Sequence, residues 1–213
     1  QKVEYQESNQ PSDPQQQINR NDAKQDVRNQ HIGSTLGKVE SVERNNHGND
    51  VMDVAWRKGL APEELTVEWI QAVQKLFLEG TGEQYFAGSI QSLPVPKWEG
   101  NLMLFDSKKD TPQSMRGLLW STPFKEDTVR IVSFVLDPGS RNKGWGSQAW
   151  STLLQSLAGT QYTTVQLEVR ATNDKAIDFY RKRGLVVVQE LHGYYNSGIG
   201  YLMRGPLRTI NPQ

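Results

Sequence analysis

A glycine-containing loop, Arg141-Asn142-Lys143-Gly144-Trp145-Gly146, lies between a predicted strand and a predicted helix. Such a loop points successive backbone N–H groups into one concavity, at the positive end of the helix that begins near Ser147. Gly144 and Gly146 let an anion approach the main chain with no Cβ in the way. A pyrophosphate group fits this arrangement. Glycines in such a loop more often serve only the turn, however, and the loop lacks the Gly-Lys-Ser/Thr sequence of a Walker A loop.

The composition changes sharply along the chain. Residues 1–55 are rich in Gln, Asn, Asp and Ser, and their apolar residues follow no sustained period. Such a segment buries too little apolar surface to offset the entropy of ordering its backbone, about 1–2 kcal/mol per residue. We expect an N-terminal extension over residues 1–55, as a flexible tail or as an arm that becomes ordered against a partner. A single globular domain is expected over residues 56–213.

The globular part alternates helical and strand patterns. Apolar residues recur at helical spacing from Pro62 until Gly80 and Gly82, and a weaker helix is predicted over Glu83–Gln91. Short apolar segments predict three strands, then a helix after the loop, an alternating strand, a second helix and a closing antiparallel pair. The ranges of these later elements are 101–105, 115–121, 128–136, 147–159, 163–170, 174–183, 185–191 and 200–204. The order predicts an α/β fold.

Several classes of protein are disfavoured by the composition. The 24 basic and 24 acidic residues balance, which argues against a nucleic-acid protein that depends on broad cationic attraction. The absence of cysteine excludes disulfides, thiolate catalysis and a cysteine zinc site, and no two of the three histidines have metal-ligand spacing. The apolar segments are too short to cross a bilayer. We expect a soluble, cytoplasmic chain without a metal, a nucleic acid or a membrane as partner.

Two residues are suited to proton transfer. Glu168 lies on the face of its predicted strand opposite the apolar residues, and Tyr180 follows on the next predicted helix. A group-transfer reaction often needs one residue that accepts a proton from the nucleophile and one that protonates the leaving group. A phenol, with a pKa near 10, stays protonated at neutral pH and suits the second role. The alternatives are a solvent-facing glutamate and a core tyrosine.

Two motifs carry a resemblance to a known family. Phe134–Pro138, followed by the loop, resembles motif A of the GCN5-related N-acetyltransferases, which reads Gln/Arg-x-x-Gly-x-Gly/Ala. Leu167–Leu185 resembles motif B and is most similar to the protein N-terminal acetyltransferases, including the bacterial enzyme that modifies ribosomal protein S18. The resemblance covers residues 102–207. It implies a mixed, mostly antiparallel central sheet flanked by helices, with the family's first strand expected within residues 37–56.

The resemblance assigns roles to individual residues. It implies that acetyl-CoA is the co-substrate, that Glu168 is the catalytic base and Tyr180 the acid, and that no metal is needed. Tyr194 and Tyr195 would help to hold the first residues of the acceptor. The residues implied to contact acetyl-CoA are Val135 and Leu136 on the pantetheine arm, Arg141, Asn142, Lys143, Gly144, Trp145, Gly146 and Ser147 at the pyrophosphate, and Asn173, which also suits a helix cap.

The acceptor is the least determined part. An α-amine has a pKa near 8, about 2.5 units below that of lysine, which makes it the easier acceptor. We expect the α-amino group of a protein or peptide, although the loop at 196–200 is short and lacks acidic residues. One alternative is a structural component of a virion or large complex that retains the fold, with residues 1–50 wrapped around a partner protein. Another is acetylation of a small-molecule amine, with an acidic cleft if that amine is polycationic.

Overall fold

The computed structural model describes residues 54–195 and 198–208. Three short 3-10 turns accompany the regular elements within these residues. The strands are β1 (Ala55–Lys58), β2 (Leu102–Phe105), β3 (Met115–Lys125), β4 (Thr128–Leu136), β5 (Thr164–Arg170), β6 (Val186–Tyr195) and β7 (Gly198–Pro206). The helices are α1 (Val67–Thr81), α2 (Ala87–Gln91), α3 (Trp145–Ser156) and α4 (Asp174–Arg181).

The seven strands form one sheet in the order β1-β2-β3-β4-β5-β7-β6. Neighbouring strands are antiparallel except β4 and β5, which run parallel. The crossover between these two strands is long enough to hold α3, as a parallel pair requires. The sheet is therefore mixed and mostly antiparallel, and the predicted fold class is confirmed.

Each face of the sheet has its own apolar core. The apolar faces of α3 and α4 pack with β5 on one face, in a cluster that contains Trp150 and Leu167. The apolar residues of α1 and α2 pack on the other face, around the fully buried Trp120. Because β5 has helices on one face, its side chains alternate between buried and partly exposed along Thr164–Arg170, as predicted.

The N-terminal elements differ from prediction in two respects. The first strand occupies Ala55–Lys58, at the very end of the range 37–56 in which it was expected. Pro62–Glu64 forms a separate 3-10 turn instead of the first turn of α1. Extended backbone at Leu65 and Thr66 separates the two, so α1 begins at Val67 and continues through Gly80 to a left-handed cap at Gly82, with φ 77°.

A β-bulge divides β4 into two parts. Trp120 on β3 lies opposite Ser133, whereas the next residue, Ser121, lies opposite Ile131, so Val132 is one residue in excess. The ladder between β4 and β5 also ends at Ile131. A bulge bends its strand and increases the local twist. The two parallel strands consequently diverge beyond this point and leave a cleft between them.

Candidate functional site

The divergence of β4 and β5 creates the cleft that forms the candidate site. A cavity of about 300 Å³ lies between them, lined by Ile131–Val135 on one side and Leu167–Arg170 on the other. A second cavity of about 420 Å³ extends from it towards the loop before α3. Val135, Asn173 and Tyr180 line both cavities, so the two cavities adjoin. The combined size suits an extended ligand with a polar end.

The predicted loop lies at one end of the cleft. Asn142 and Gly144 adopt left-handed backbone conformations, with φ of 58° and 85°, and α3 begins at the next residue, Trp145. Asn142, Gly144, Gly146 and Ser147 line the second cavity. The first N–H groups of a helix have no partner within the helix, and the helix dipole is positive there. This end of the cleft is therefore suited to an anionic group.

The remaining loop residues are arranged differently. The Arg141 guanidinium lines the cavity but donates to the carbonyl of Leu136 from Nε, at 3.2 Å, and to that of Gly80. Lys143 and Trp145 do not line either cavity. The Trp145 ring packs against the core, and its carbonyl accepts a hydrogen bond of 2.8 Å from the indole of Trp56. Arg141 thus holds α1 against β4, and Trp145 anchors the loop to β1.

A second arginine, two residues after the end of α4, supports the loop. Arg183 lies with its guanidinium carbon 3.4 Å from the centre of the Phe179 ring, and its Nη2 donates to the Ser147 hydroxyl at 2.9 Å. Burial lowers the pKa of Arg183 because it disfavours the charged form. A Cβ on Gly146 would lie 3.2 Å from the same ring, so glycine permits this close packing of α3 on α4.

The strand and helix contacts predicted for the ligand converge on the cleft. Val135 and Leu136 line it from β4, where β5 no longer pairs with the strand. Asn173 lines both cavities, and its Oδ1 accepts a hydrogen bond of 3.2 Å from the backbone N–H of Ala176. The predicted helix cap is therefore confirmed. Lys175 also lines the cleft, although the sequence motif did not single it out.

Tyr180 lies where the two cavities meet. Its side chain packs against Trp150 and Phe179, and the residue is 7% exposed. No hydrogen-bond partner for its hydroxyl occurs among the described residues. Burial raises the pKa of Tyr180, because a phenolate there would lose its hydration. Tyr180 is thus a core residue that lines the cleft and keeps a neutral phenol at neutral pH.

Glu168 has a partner that the sequence did not reveal. Nε and Nη2 of Arg130 lie 3.0 and 2.9 Å from Oε2 of Glu168. The Arg130 side chain is 13% exposed and the Glu168 side chain 8%. Glu168 lines the first cavity. The solvent-facing alternative is therefore wrong, because the carboxylate is buried in an ion pair. The ion pair holds the carboxylate in place at the wall of the first cavity.

A second ion pair lies in the same cavity. Arg170, two residues after Glu168 on the same strand face, pairs with Glu83 from the segment between α1 and α2. The Tyr85 hydroxyl donates to the other carboxylate oxygen of Glu83. The alternation along β5 places Arg170 beside Glu168, but nothing local in the sequence indicates its contact with a residue so far away.

The remaining predictions concern the acceptor tyrosines, a metal site and a membrane-spanning helix. The side chains of Tyr194 and Tyr195, expected to hold the acceptor, lie outside the described part of the structure. Among the described residues, no group of three or more metal-ligating side chains is arranged to hold a metal ion. None of the helices that these residues form is both long and apolar enough to cross a membrane.

Known proteins share this architecture. Ard1 from Thermoplasma volcanium superimposes with a TM-score of 0.60 at 25% identity, over 73% of this chain and 99% of that one. The ribosomal-protein-S18-alanine N-acetyltransferase of Escherichia coli gives 0.57 at 17% identity, over 74% and 96%. NAA60 of Arabidopsis thaliana, in complex with acetyl-CoA, gives 0.54 at 15% identity, over 71% and 98%. No curated protein sequence matches significantly.

The fold and the cleft therefore define an acetyltransferase. The model of the acetyltransferase (GNAT) family matches residues 68–185, which is more than half of the chain, and the chain belongs to this family. The prediction of an acetyl-CoA-dependent N-acetyltransferase is thereby confirmed. The structural neighbours under 25% identity share the fold, and they leave the acceptor of this chain open.

Proposed function

We propose that this chain transfers an acetyl group from acetyl-CoA to the α-amino group of a protein or peptide. The observation that carries the proposal is the pair of adjoining cavities at the cleft between β4 and β5, which are lined by a loop suited to an anion, a buried tyrosine and a paired glutamate. Acetyl-CoA would place its pyrophosphate at the N–H groups of residues 144–147 and its pantetheine arm along the unpaired edge of β4. Asn173 and Lys175 would line the opposite wall.

Acetyl-CoA supplies an activated thioester, and the side chains at the junction of the two cavities handle the protons. Glu168 accepts the proton of the acceptor ammonium, directly or through water, so that the amine nitrogen has a free lone pair. The nitrogen forms a bond to the acetyl carbon as the bond from that carbon to sulfur breaks. Tyr180 gives its proton to the leaving thiolate, and the second proton that the nitrogen loses as it becomes an amide restores the phenol. The raised pKa of Tyr180 keeps that proton available at neutral pH.

The charge of the cleft supports an α-amine over a polyamine. A polycationic acceptor calls for an acidic cleft, but the two glutamates that line the first cavity are each paired with an arginine. The four charges cancel, so the cavity holds no excess negative charge to attract a polycation. The E. coli neighbour, named as a ribosomal-protein-S18-alanine N-acetyltransferase, has a protein as its acceptor, which is in keeping with the proposal.

Replacement of the Tyr180 hydroxyl tests the catalytic part of the proposal. We expect Tyr180→Phe to lower kcat by about 100-fold or more, since general acid catalysis contributes about 10²–10⁴. Acetyl-CoA should still stabilise the variant, because the ring stays in place. Tyr162→Phe is a matched control, because Tyr162 packs against Trp98 and does not line the cleft. Turnover by Tyr180→Phe at the wild-type rate would remove Tyr180 from the mechanism.

Thermal stability tests the cofactor site independently of the acceptor. A ligand that binds only the native state at a hundredfold excess over Kd adds about 2.7 kcal/mol to the free energy of unfolding. For a domain of this size that corresponds to a rise in Tm of about 5–10 °C. Adenosine diphosphate, which lacks the pantetheine arm, should give a smaller shift. A Tm unchanged by millimolar acetyl-CoA would leave the structural role as the better interpretation.

The division into an extension over residues 1–55 and a domain over residues 56–213 remains a prediction that a truncation can test. Removal of residues 1–53 leaves all of β1 in place. We expect the truncated chain to keep its Tm and its response to acetyl-CoA, and any partner protein of the extension to be lost. A truncated chain that fails to fold would show that the domain begins earlier.

A further inference from the structure

The Glu83–Arg170 ion pair joins the two walls of the cleft. Glu83 lies in the segment between α1 and α2, on the helical side, whereas Arg170 is the last residue of β5. Their side chains are 30% and 35% exposed, and both line the cavity that contains Glu168 and Tyr180. An acceptor that reaches the catalytic pair therefore passes beside this ion pair and competes with it.

Glu83 is held from a second direction. The hydroxyl of Tyr85 donates to Oε2 of Glu83, while Arg170 contacts Oε1. The backbone carbonyl of Tyr85 in turn accepts a hydrogen bond of 2.7 Å from the amide of Gln74, on α1. This chain of contacts fixes the Glu83 carboxylate on the helical wall. Separation of the pair thus exposes a positioned carboxylate and a guanidinium on opposite sides of the acceptor.

Opening a partly buried ion pair costs each residue that contact, and the cost is smallest when the incoming ligand replaces the contact on both sides. The ammonium of an acceptor compensates Glu83 when it displaces Arg170. A cationic or neutral acceptor offers nothing to Arg170. An acceptor that carries an anion close to its amine compensates both residues at once, so the cleft retains its balance of charge.

We propose that Glu83 and Arg170 select acceptors with a carboxylate beside the reacting amine, such as peptides with Asp or Glu at one of the first two positions. This inference rests on the proposed function. The ammonium first pairs with Glu83 and then loses its proton before the carbon–nitrogen bond forms and the carbon–sulfur bond breaks. The acetylated product has no ammonium, keeps only its contact with Arg170, and leaves as the Glu83–Arg170 pair re-forms.

Peptides that differ in one side chain provide the test. Three peptides of identical sequence carry Asp, Asn or Lys at the second position, and kcat/KM is measured for each with saturating acetyl-CoA. We expect the Asp peptide to exceed the Asn peptide by about tenfold, as one charge-assisted hydrogen bond allows, and the Lys peptide to be the poorest. Equal values for the three peptides, or a preference for Lys, would overturn the inference and leave the proposed function intact.

Variants of Arg170 assign the preference to this side chain. We expect Arg170→Gln to acetylate the Asp and Asn peptides equally, while Arg170→Lys, which keeps the charge, retains a preference. Arg181→Gln is a matched control, since Arg181 is an exposed arginine on α4 whose side chain is 60% accessible. Each variant is compared only after acetyl-CoA raises its Tm as in the wild type. An undiminished preference for Asp in Arg170→Gln would overturn the inference.

An exchange of the two charges separates recognition from simple support of the fold. The double variant Glu83→Arg, Arg170→Glu can re-form an ion pair across the cleft with its direction reversed. We expect it to lose the preference for the Asp peptide, because residue 170 no longer offers a cation to the carboxylate. An unchanged Asp preference would show that the pair only braces the walls. If no peptide is acetylated by the wild type and acetyl-CoA does not raise its Tm, the proposed function fails together with this inference.

Discussion

The close approach of α1 to β4 at Gly80 leads to a prediction that links packing to cofactor binding. A Cβ at this position would lie 2.4 Å from Cγ1 of Val135 and 3.3 Å from the Leu136 carbonyl oxygen. Val135 is 8% exposed, and a β-branched side chain has few alternative rotamers. Gly80→Ala must therefore move α1 away from the sheet or push Val135 into the cleft.

The expected magnitude follows from two opposing effects. Alanine in a helix interior is favoured over glycine by about 1 kcal/mol, whereas an extra methyl group in a packed core costs about 1–3 kcal/mol. Gly88→Ala is a matched control, because glycine at this position of α2 has open space around its Cβ direction and only the favourable effect applies. We expect Gly80→Ala to be less stable than Gly88→Ala by about 1–3 kcal/mol, or about 2–12 °C in Tm.

Urea denaturation and the acetyl-CoA-induced rise in Tm measure the two consequences. Because Val135 lines both cavities, its displacement should also weaken acetyl-CoA binding in Gly80→Ala, whereas Gly88→Ala should bind as the wild type does. Equal stability of the two variants, together with an undiminished response of Gly80→Ala to acetyl-CoA, would refute the claim that α1 closes one side of the cleft through contact with Val135.

The remaining predictions concern the loop and the buried tyrosine. Trp56→Phe removes the hydrogen bond to the Trp145 carbonyl and should lower the free energy of unfolding in urea by about 1–2 kcal/mol. The rise in Tm on addition of acetyl-CoA should also be smaller. Wild-type values for both quantities would contradict the anchoring role of this hydrogen bond. Arg183→Met and Ser147→Ala should couple by about 0.5–1.5 kcal/mol in a double-mutant cycle of acetyl-CoA binding, and additive effects would show that Arg183 does not act through Ser147. Below pH 10 the Tyr180 phenol is protonated in both the folded and the unfolded chain, so it adds no pH dependence to the free energy of unfolding. Above pH 10 only the unfolded chain loses this proton, so the free energy of unfolding of the wild type should fall by up to about 1.4 kcal/mol more per pH unit than that of Tyr180→Phe. Identical slopes of this free energy against pH in the two proteins would contradict the burial of the phenol.

The parts of the fold with a long periodic signal were predictable. The alternation along β5 and the helical spacing of α1 and α3 identified these elements, since each has one face buried against the sheet. Four residues of β1 are too few for a period to be visible, and its position became clear only from its pairing with β2. The bulge in β4 also depends on the partner strand, because it is a mismatch between two registers.

Some residues of the candidate site could be predicted from the sequence, and others could not. The loop, Asn173 and Tyr180 belong to contiguous motifs, so their shared position at the cleft was within reach of the sequence. The arginine partners of Glu168 and Glu83 could not be predicted from the sequence. Arg130 is 38 residues from Glu168 along the chain, and Glu83 and Arg170 lie in different structural elements. Opposite charges on a sequence do not specify which pairs the fold brings together.

The extra residue in β4 also has a consequence for insertions and deletions. Before Val132 the odd-numbered residues, such as Ile131, face the core under α3 and α4; after it the even-numbered residues, such as Phe134, face that core. Deletion of Val132 alone would remove the bulge and make the pairing with β3 regular, so Phe134 and Val135 would keep their layers while the strand lost its local bend. A relative without this extra residue can therefore keep both layers of its core, but it would lack the bend that separates β4 from β5 and opens the cleft.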